Sequence, residues 1–452
     1  MKKLLALILA VAMSATLVVG CGTSTDNKQT TAQVETKKSE HSKMTKDLQK
    51  LLDKDPKLKK LMEKSLAKAK KVNPDKSTNP AQSLDELYEF TDWAATCEPW
   101  NVIPGKKSDK LYEHIDQSVD YFWFLVDQPL KELEGKGYYY PTLQYHEPIK
   151  SWCKEYADEW GKFLSTKDSW NDEYYELAKS DKRFGMDKGW YADKNIWTSY
   201  NDFFSRKLVD PSVRPIANTE VVAPADSTPQ GEWDIDKNGK IEDEDKDGTI
   251  VKGAKFDQIS DLIGPNSKYR NSFNNGTFTH TFLDVNDYHR YHFPVSGKIV
   301  ELKKIKGTNA AGGITVWDKK NQKYVLIDQV PGWQMIETRD LVVIDTKEYG
   351  YVAILPIGMS QICSCNWEKD LKVGDEVKKG EPMGYFLFGG SDICMVFQDK
   401  ADFDFIPKAD KNGKYPHLLA LAYPWPRIML RPAASPQECI IRPRRTAKQK
   451  WI

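Results

Sequence analysis

The hydrophobic pattern of this chain changes period once, near residue 197, and that change limits the folds open to it. Upstream, apolar residues recur at helical spacing. Between 46 and about 71, Leu48, Leu51, Leu52, Leu58, Leu61, Met62 and Leu66 lie among lysines on one side of an amphipathic helix. Pro56 lacks a backbone donor, so two short helices are expected there instead of one. From 80 to 196 the pattern stays helical and turns aromatic. Trp152, Tyr156, Trp160 and Phe163 share one face of a helix expected from 149 to 164. These rings read as core, not as a binding platform. Downstream, short alternating runs broken by Gly and Pro take over. Residues 221–223, 277–279, 298–300, 351–355 and 393–397 read as strands. Val373-Gly374-Asp375-Glu376-Val377-Lys378-Lys379-Gly380 reads as a tight turn with glycine at both corners. The expected fold class is α+β: a helical N-terminal domain over 80–196, then a β-rich domain over 197–452 with a sandwich or barrel-like core.

The ends add a compartment. Lys2 and Lys3 precede an apolar run from Leu4 to Val19, and Val18-Val19-Gly20 leads into Cys21. A basic start, a short apolar stretch and small residues before a cysteine read as an export signal over 1–20, too short for a membrane span. The ending resembles a bacterial lipobox, which implies cleavage before Cys21 and lipidation of Cys21. The expected protein is an exported bacterial lipoprotein anchored to the outer face of a membrane. Within the next segment, 21–79, residues 22–45 form a polar spacer ahead of the amphipathic helices. Six other cysteines, at 97, 153, 363, 365, 394 and 439, allow fifteen pairings, and the spacing selects none. Charge is balanced, with 66 Lys and Arg against 65 Asp and Glu, so no global field points to nucleic acid.

Three segments carry residues suited to chemistry. Gly389-Gly390-Ser391 ends an apolar run, and glycine lets a backbone take conformations closed to other residues. In a strained Gly-Ser bond the serine oxygen can attack the preceding carbonyl to give an ester. Elimination from the ester leaves dehydroalanine, and hydrolysis leaves a pyruvoyl group. About a hundred residues upstream lies Asp287-Tyr288-His289-Arg290-Tyr291-His292. His289 and His292 are three apart, so a regular strand sends them to opposite faces. They reach one site only if 288–293 turns or bulges. The third segment, 234–245, matches the start of a calcium loop, with Asp234, Asp236, Asn238, the Lys240 carbonyl and Asp245 as ligands. A second register beginning at Asp243 overlaps it.

Taken in order, Phe203-Phe204-Ser205-Arg206-Lys207-Leu208, Arg214-Pro215-Ile216, Val222-Ala223-Pro224-Ala225-Asp226, the Asp287–His292 motif with Pro294 and Gly297, and Gly390-Ser391 form a set. This set resembles the phosphatidylserine decarboxylases, over about 200–400. The resemblance implies a self-processing, pyruvoyl-dependent catalytic domain. It implies an autocleavage triad of Asp226, His292 and Ser391, with the cut between Gly390 and Ser391. A β chain would end at 390, and an α chain of 391–452 would stay associated with it. The matching role of His289 is in decarboxylation, as the acid that protonates carbon. Ser227 stands where the family commonly has Gly, and Asp392 where it has Ser or Thr. The Asp392 carboxylate is expected to disturb the charge balance at the cleavage site. The implied substrate is phosphatidylserine. A decarboxylase of a free amino acid, aromatic ones included, and an unprocessed calcium-binding surface lipoprotein are the alternatives. The region before 200 loosely resembles the extra domain of relatives acting on aromatic amino acids.

Overall fold

A computed structural model describes residues 40–430, apart from 100–110, 137–139, 243–249, 252–253, 256, 311, 328–331, 360–363, 369 and several positions between 405 and 426. The signal segment, Cys21, Asp245, Cys363 and Cys439 lie outside the described residues, and residues 41–452 cluster as one compact unit.

The helical part follows the apolar spacing. Helix Lys43–Lys54 is capped by Ser42, and Pro56–Val72 follows after a single residue. Asp55 separates them, and its carboxylate accepts from the amides of Lys57 and Leu58 at the start of the second helix. Pro56 at the first helical position costs no hydrogen bond, so the break falls where expected. Leu48, Leu52, Leu58, Met62 and Leu66 are buried in the same core as Trp152 and Tyr156 of helix Ile149–Phe163. Trp160, Leu164, Trp170 and Phe184 join the core of the β-rich part, whereas the helices before residue 79 share a core with residues between Ala81 and Tyr156. Trp317 and Tyr324, from the hairpin Ile314–Asp318 and Lys323–Ile327, complete that core. Gln117 bonds both the amide and the carbonyl of Tyr324, and Asp127 accepts from the Thr315 amide at 2.8 Å. Among the described residues no helix is long and apolar enough to cross a membrane.

Past residue 227 an antiparallel seven-stranded sheet forms. Its spatial order is Thr228–Asp234, Thr277–Leu283, Gly390–Phe397, Tyr351–Met359, Arg339–Asp345, Gly297–Ile305, Glu376–Val377. A three-stranded sheet of Cys365–Trp367, Pro382–Phe386 and Arg290–His292 stands beside it. Four of the five expected strands lie inside these elements. The exception is 221–223, where Val222 donates its amide to Pro294 and no ladder follows. Pro224 and Pro294 lack the N–H groups that a ladder would use. The two sheet faces enter different cores: Ser391, Ile393, Met395 and Phe397 face one way, and Asp392, Cys394 and Val396 the other. The described cysteines, 97, 153, 365 and 394, are buried and unpaired with one another.

Candidate active site

Ser391 sits at the start of strand Gly390–Phe397, opposite Gly358 on one side and Leu283 on the other. Its neighbours along the strand on the same face, Ile393 and Met395, belong to the core that also holds Phe204, Tyr288, Tyr291 and Phe388. The Ser391 side chain is fully buried, and its Oγ has no hydrogen-bond partner among the described residues. A buried hydroxyl without a partner is costly, so its presence here asks for a purpose. The corner before it is built from both regions. Gly389 has φ 144°, which a side-chain-bearing residue rarely adopts. The Phe388 amide donates to Asn201 Oδ1 at 2.9 Å, from helix Tyr200–Phe204. The Phe388 ring packs edge-on against Trp160, Tyr200 and Phe204.

The histidine motif turns before it becomes a strand. Only Arg290–His292 is regular, and His289 precedes it in irregular backbone, so the two histidines escape strict alternation. Both are buried. His289 stacks on Phe204 with ring centroids 3.8 Å apart. Its Nδ1 lies 2.9 Å from the Asp287 carbonyl, which can only accept, so Nδ1 carries the proton. Nε2 is then a bare lone pair, and it has no partner among the described residues. Burial, and then the charge of Arg206, hold His289 well below the ordinary imidazole range. His292 donates from Nδ1 to the Gly380 carbonyl at 3.0 Å and accepts at Nε2 from the Tyr288 hydroxyl at 3.1 Å. Burial pushes its pKa down to about 4. Both histidines are neutral bases at neutral pH.

Asp226 is 3 % exposed, and its carboxylate is gripped by Arg214 through both terminal nitrogens. The Arg214 guanidinium lies between the rings of Trp190 and Tyr288, 4.3 and 4.9 Å from their centroids. The Ala420 amide also donates to Asp226, at 2.8 Å. The triad implied by resemblance is therefore not joined as a hydrogen-bonded relay: Asp226 bonds Arg214 and Ala420, and His292 bonds Tyr288 and Gly380. Asp226 still raises the basicity of His292 through space. The reason lies in the buried Arg214, whose fixed charge and bidentate geometry outcompete a neutral imidazole for the carboxylate.

Three partners were not singled out from the sequence. Arg214 and Tyr288 lie inside quoted motifs, but their type alone gave no role. His417 has no motif at all. It comes from beyond the Gly390–Ser391 bond, and its Nε2 lies 2.9 Å from Asp287 Oδ1. Burial raises the Asp287 pKa to about 6, and its partner raises that of His417. Leu418 and Ser227 exchange backbone hydrogen bonds beside this pair.

Asp392 corrects an expectation. Neighbouring residues of a strand point to opposite faces, so its carboxylate leaves the Ser391 side altogether. It is buried in the other core and meets His280 Nε2 at 2.7 Å. The candidate calcium loop is described only as far as residue 242, so its ligand position Asp245 lies outside the described residues. The Asp236 carboxylate accepts from the amides of Asn238 and Lys240, and the Lys240 carbonyl accepts from the Asp236 amide. These bonds close a tight turn, with Gly239 at φ 83°. Among the described residues no group of three or more His, Cys, Asp or Glu side chains converges as a metal site.

One comparison falls on the same residues. A family model described as Phosphatidylserine decarboxylase matches 200–416. An L-tryptophan decarboxylase of Psilocybe cyanescens is 27% identical over 300 residues, covering 59% of this chain and 66% of that protein. A phosphatidylserine decarboxylase proenzyme of Fusobacterium nucleatum is 31% identical over 203 residues, covering 45% and 60%. Phosphatidylserine decarboxylase proenzyme 2 of Oryza sativa is 31% identical over 265 residues, covering 57% and 38%. The chain thus spans less than two-thirds of the length of these relatives.

Proposed function

This chain belongs, through residues 200–416, to the phosphatidylserine decarboxylase family, and from that premise we propose a decarboxylase that cuts itself between Gly390 and Ser391 and carries a pyruvoyl group at 391. One observation carries the reading: a fully buried, unpartnered serine hydroxyl follows two glycines, on the core face shared with two neutral histidines. Ser391 Oγ attacks the Gly390 carbonyl; the C–N bond breaks, an ester forms, and the hydroxyl proton passes to the released amine. Loss of the Ser391 Cα proton then expels Gly390 as a carboxylate. Protonation at Cβ and hydrolysis release ammonia and leave the ketone. His289 Nε2 is the lone pair in the cluster free to hold a proton in such steps. His292 becomes available only when Tyr288 turns its hydroxyl away. A pyruvoyl group supplies an electron sink when CO2 leaves an α-amino carboxylate. Burial of Ser391 and both histidines shields that step from bulk water, and Arg214, held by Asp226, packs against Tyr288.

For the substrate, our reading is phosphatidylserine. The family match and the similar proenzymes support it, and a lipid tether at Cys21 of an exported chain would hold the site at a bilayer. A second reading, a free aromatic amino acid, is favoured by one observation: a similar protein, from Psilocybe cyanescens, is an L-tryptophan decarboxylase. Intact mass of the purified protein tests the cut, with a small chain starting at 391 and blocked at its N-terminus as the expected result. CO2 release from phosphatidylserine vesicles, set against free amino acids including tryptophan, tests the substrate. An uncut chain that releases no CO2 from either would overturn the proposal.

A further inference from the structure

Directly behind the cleavage site, on the opposite face of the sheet, is a buried ionisable pair that the chemistry above does not use. Asp392 Oδ1 lies 2.7 Å from His280 Nε2, and the two side chains are 1 % and 3 % exposed. Phe278, Leu355, Ile357 and Val396 belong to the core around them, Trp333 stands edge-on to the His280 ring, and the buried Glu337 carboxyl is near enough to feel the Asp392 charge. Gln334 reaches His280 Nδ1 at 3.4 Å. Removing a carboxylate and an imidazole from water is expensive, and apolar side chains of like volume would fill such a core at no comparable cost. The pair therefore does something that packing alone does not require.

Its position shows what. His280 is on strand Thr277–Leu283 and Asp392 on the neighbouring strand, in register beside the pair Ser391–Leu283. Cutting at Gly390–Ser391 puts Asp392 in the small chain and leaves His280 in the large one. The Asp392 amide then bears residue 391 directly, and the covalent tether on the other side is gone. Of all side chains, that of Asp392 is the nearest along the chain able to hold the new terminus from behind.

We propose that Asp392 and His280 form a positioning couple that keeps residue 391 in register during and after the cut. The inference rests on the self-cleavage reading. It predicts a specific fault when the couple is broken. A displaced ester meets water before its Cα proton is removed. Water adds to the Gly390 carbonyl, Gly390 leaves as the acid, and Ser391 regains its hydroxyl. The small chain then begins with serine in place of the ketone, and the two termini differ in mass.

The test compares wild type with Asp392→Asn, Asp392→Ala, His280→Ala and the double alanine variant, by intact mass of the small chain and by kcat and KM. Asp392→Ala and His280→Ala are each expected to raise the serine-ended fraction about tenfold and to lower kcat about tenfold in the pyruvoyl-normalised enzyme, with KM within about twofold. The double variant is expected to be no worse than either single one. Asp392→Asn keeps an acceptor for His280 and is expected to recover most of the loss. Should an alanine variant fail to fold, the Asn variant against Asp392→Ser decides, since Ser is too short to reach His280. Clean pyruvoyl termini and wild-type kcat in every folded variant would overturn the couple, as would alanine effects that simply add. A wild-type chain that stays uncut overturns the self-cleavage reading itself, and shows in the control before any variant is compared.

Discussion

The two faces of the seven-stranded sheet both bury titratable groups, and burial shifts those groups in opposite directions. On the Ser391 face, burial lowers His289 and His292, so neutral imidazoles stand there. On the Asp392 face, burial raises Asp392 and raises Glu337 well above the usual carboxylate range. The permanent cations differ too. Arg214 is paired with a carboxylate and stacked between rings. Arg339 spends its donors on the carbonyls of Asp261, Leu262, Met335 and Glu337. One face thus holds an unpartnered hydroxyl and an unpartnered imidazole lone pair; on the other, Arg339 is tied to the main chain and Asp392 to His280. A strand can serve both because its side chains alternate. The lesson is that reactive and supporting groups here are separated by one residue of sequence and the thickness of a sheet.

The largest break in this contrast should come from Ser391→Ala. It removes the nucleophile from one face and nothing from the other. No small chain and no CO2 release are expected, by gel and by assay, with a melting temperature at or above that of wild type, because an unpartnered hydroxyl has gone. Normal processing would end the reading. Next comes Arg214→Met, which leaves Asp226 buried without its cation. A loss of about 3–5 kcal/mol in urea unfolding is expected; a loss below about 1 kcal/mol would mean Asp226 has another way to be satisfied.

Acid sharpens the comparison of faces. His292 has its pKa lowered to about 4, below its ordinary value. The unfolded chain therefore binds the proton first, so stability is full above about pH 6.5 and is lost as pH falls through about 4. The expected loss from this one group is about 3 kcal/mol. A His292→Gln variant should show a flatter stability profile between those limits. A smaller effect is expected at the turn closed by Asp236: Asp236→Ala should cost about 1 kcal/mol. The smallest is at His417. Its pKa is raised and that of Asp287 raised to about 6. Stability from the raised His417 is present below its ordinary value and fades as pH climbs through the raised one. Its imidazole titration by NMR should move down in Asp287→Asn; no movement would show that the contact is incidental.

Much of this was open to reading in the sequence. The two helices on either side of Asp55 follow from apolar spacing and one proline. Four strands follow from alternation, and the fifth failed because Pro224 and Pro294 deny it a ladder. Ser391, His289, His292 and Asp226 were legible as motif residues. Their bonds were not. A partner for Asp226 depends on which cation is buried beside it, and Arg214 arrives only when Trp190 and Tyr288 enclose it. Asp392 was misread as a neighbour of the cut in space because it is a neighbour in sequence.

The amino-acid sequence by itself determined where helices give way to strands, which bond is flanked by glycine and serine, and which acids, bases and nucleophile exist. Those depend on local spacing, local backbone freedom and residue chemistry. Tertiary structure alone decided who meets whom: Asp226 with Arg214, His292 with Tyr288, His417 with Asp287, Asp392 with His280. Each of those meetings depends on burial, and burial is set by distant segments packing together, from helix Tyr200–Phe204 to residues 417–420. A lone pair on His289 matters because Phe204 covers its ring and Asp287 takes its only proton, and no window of local sequence contains all three.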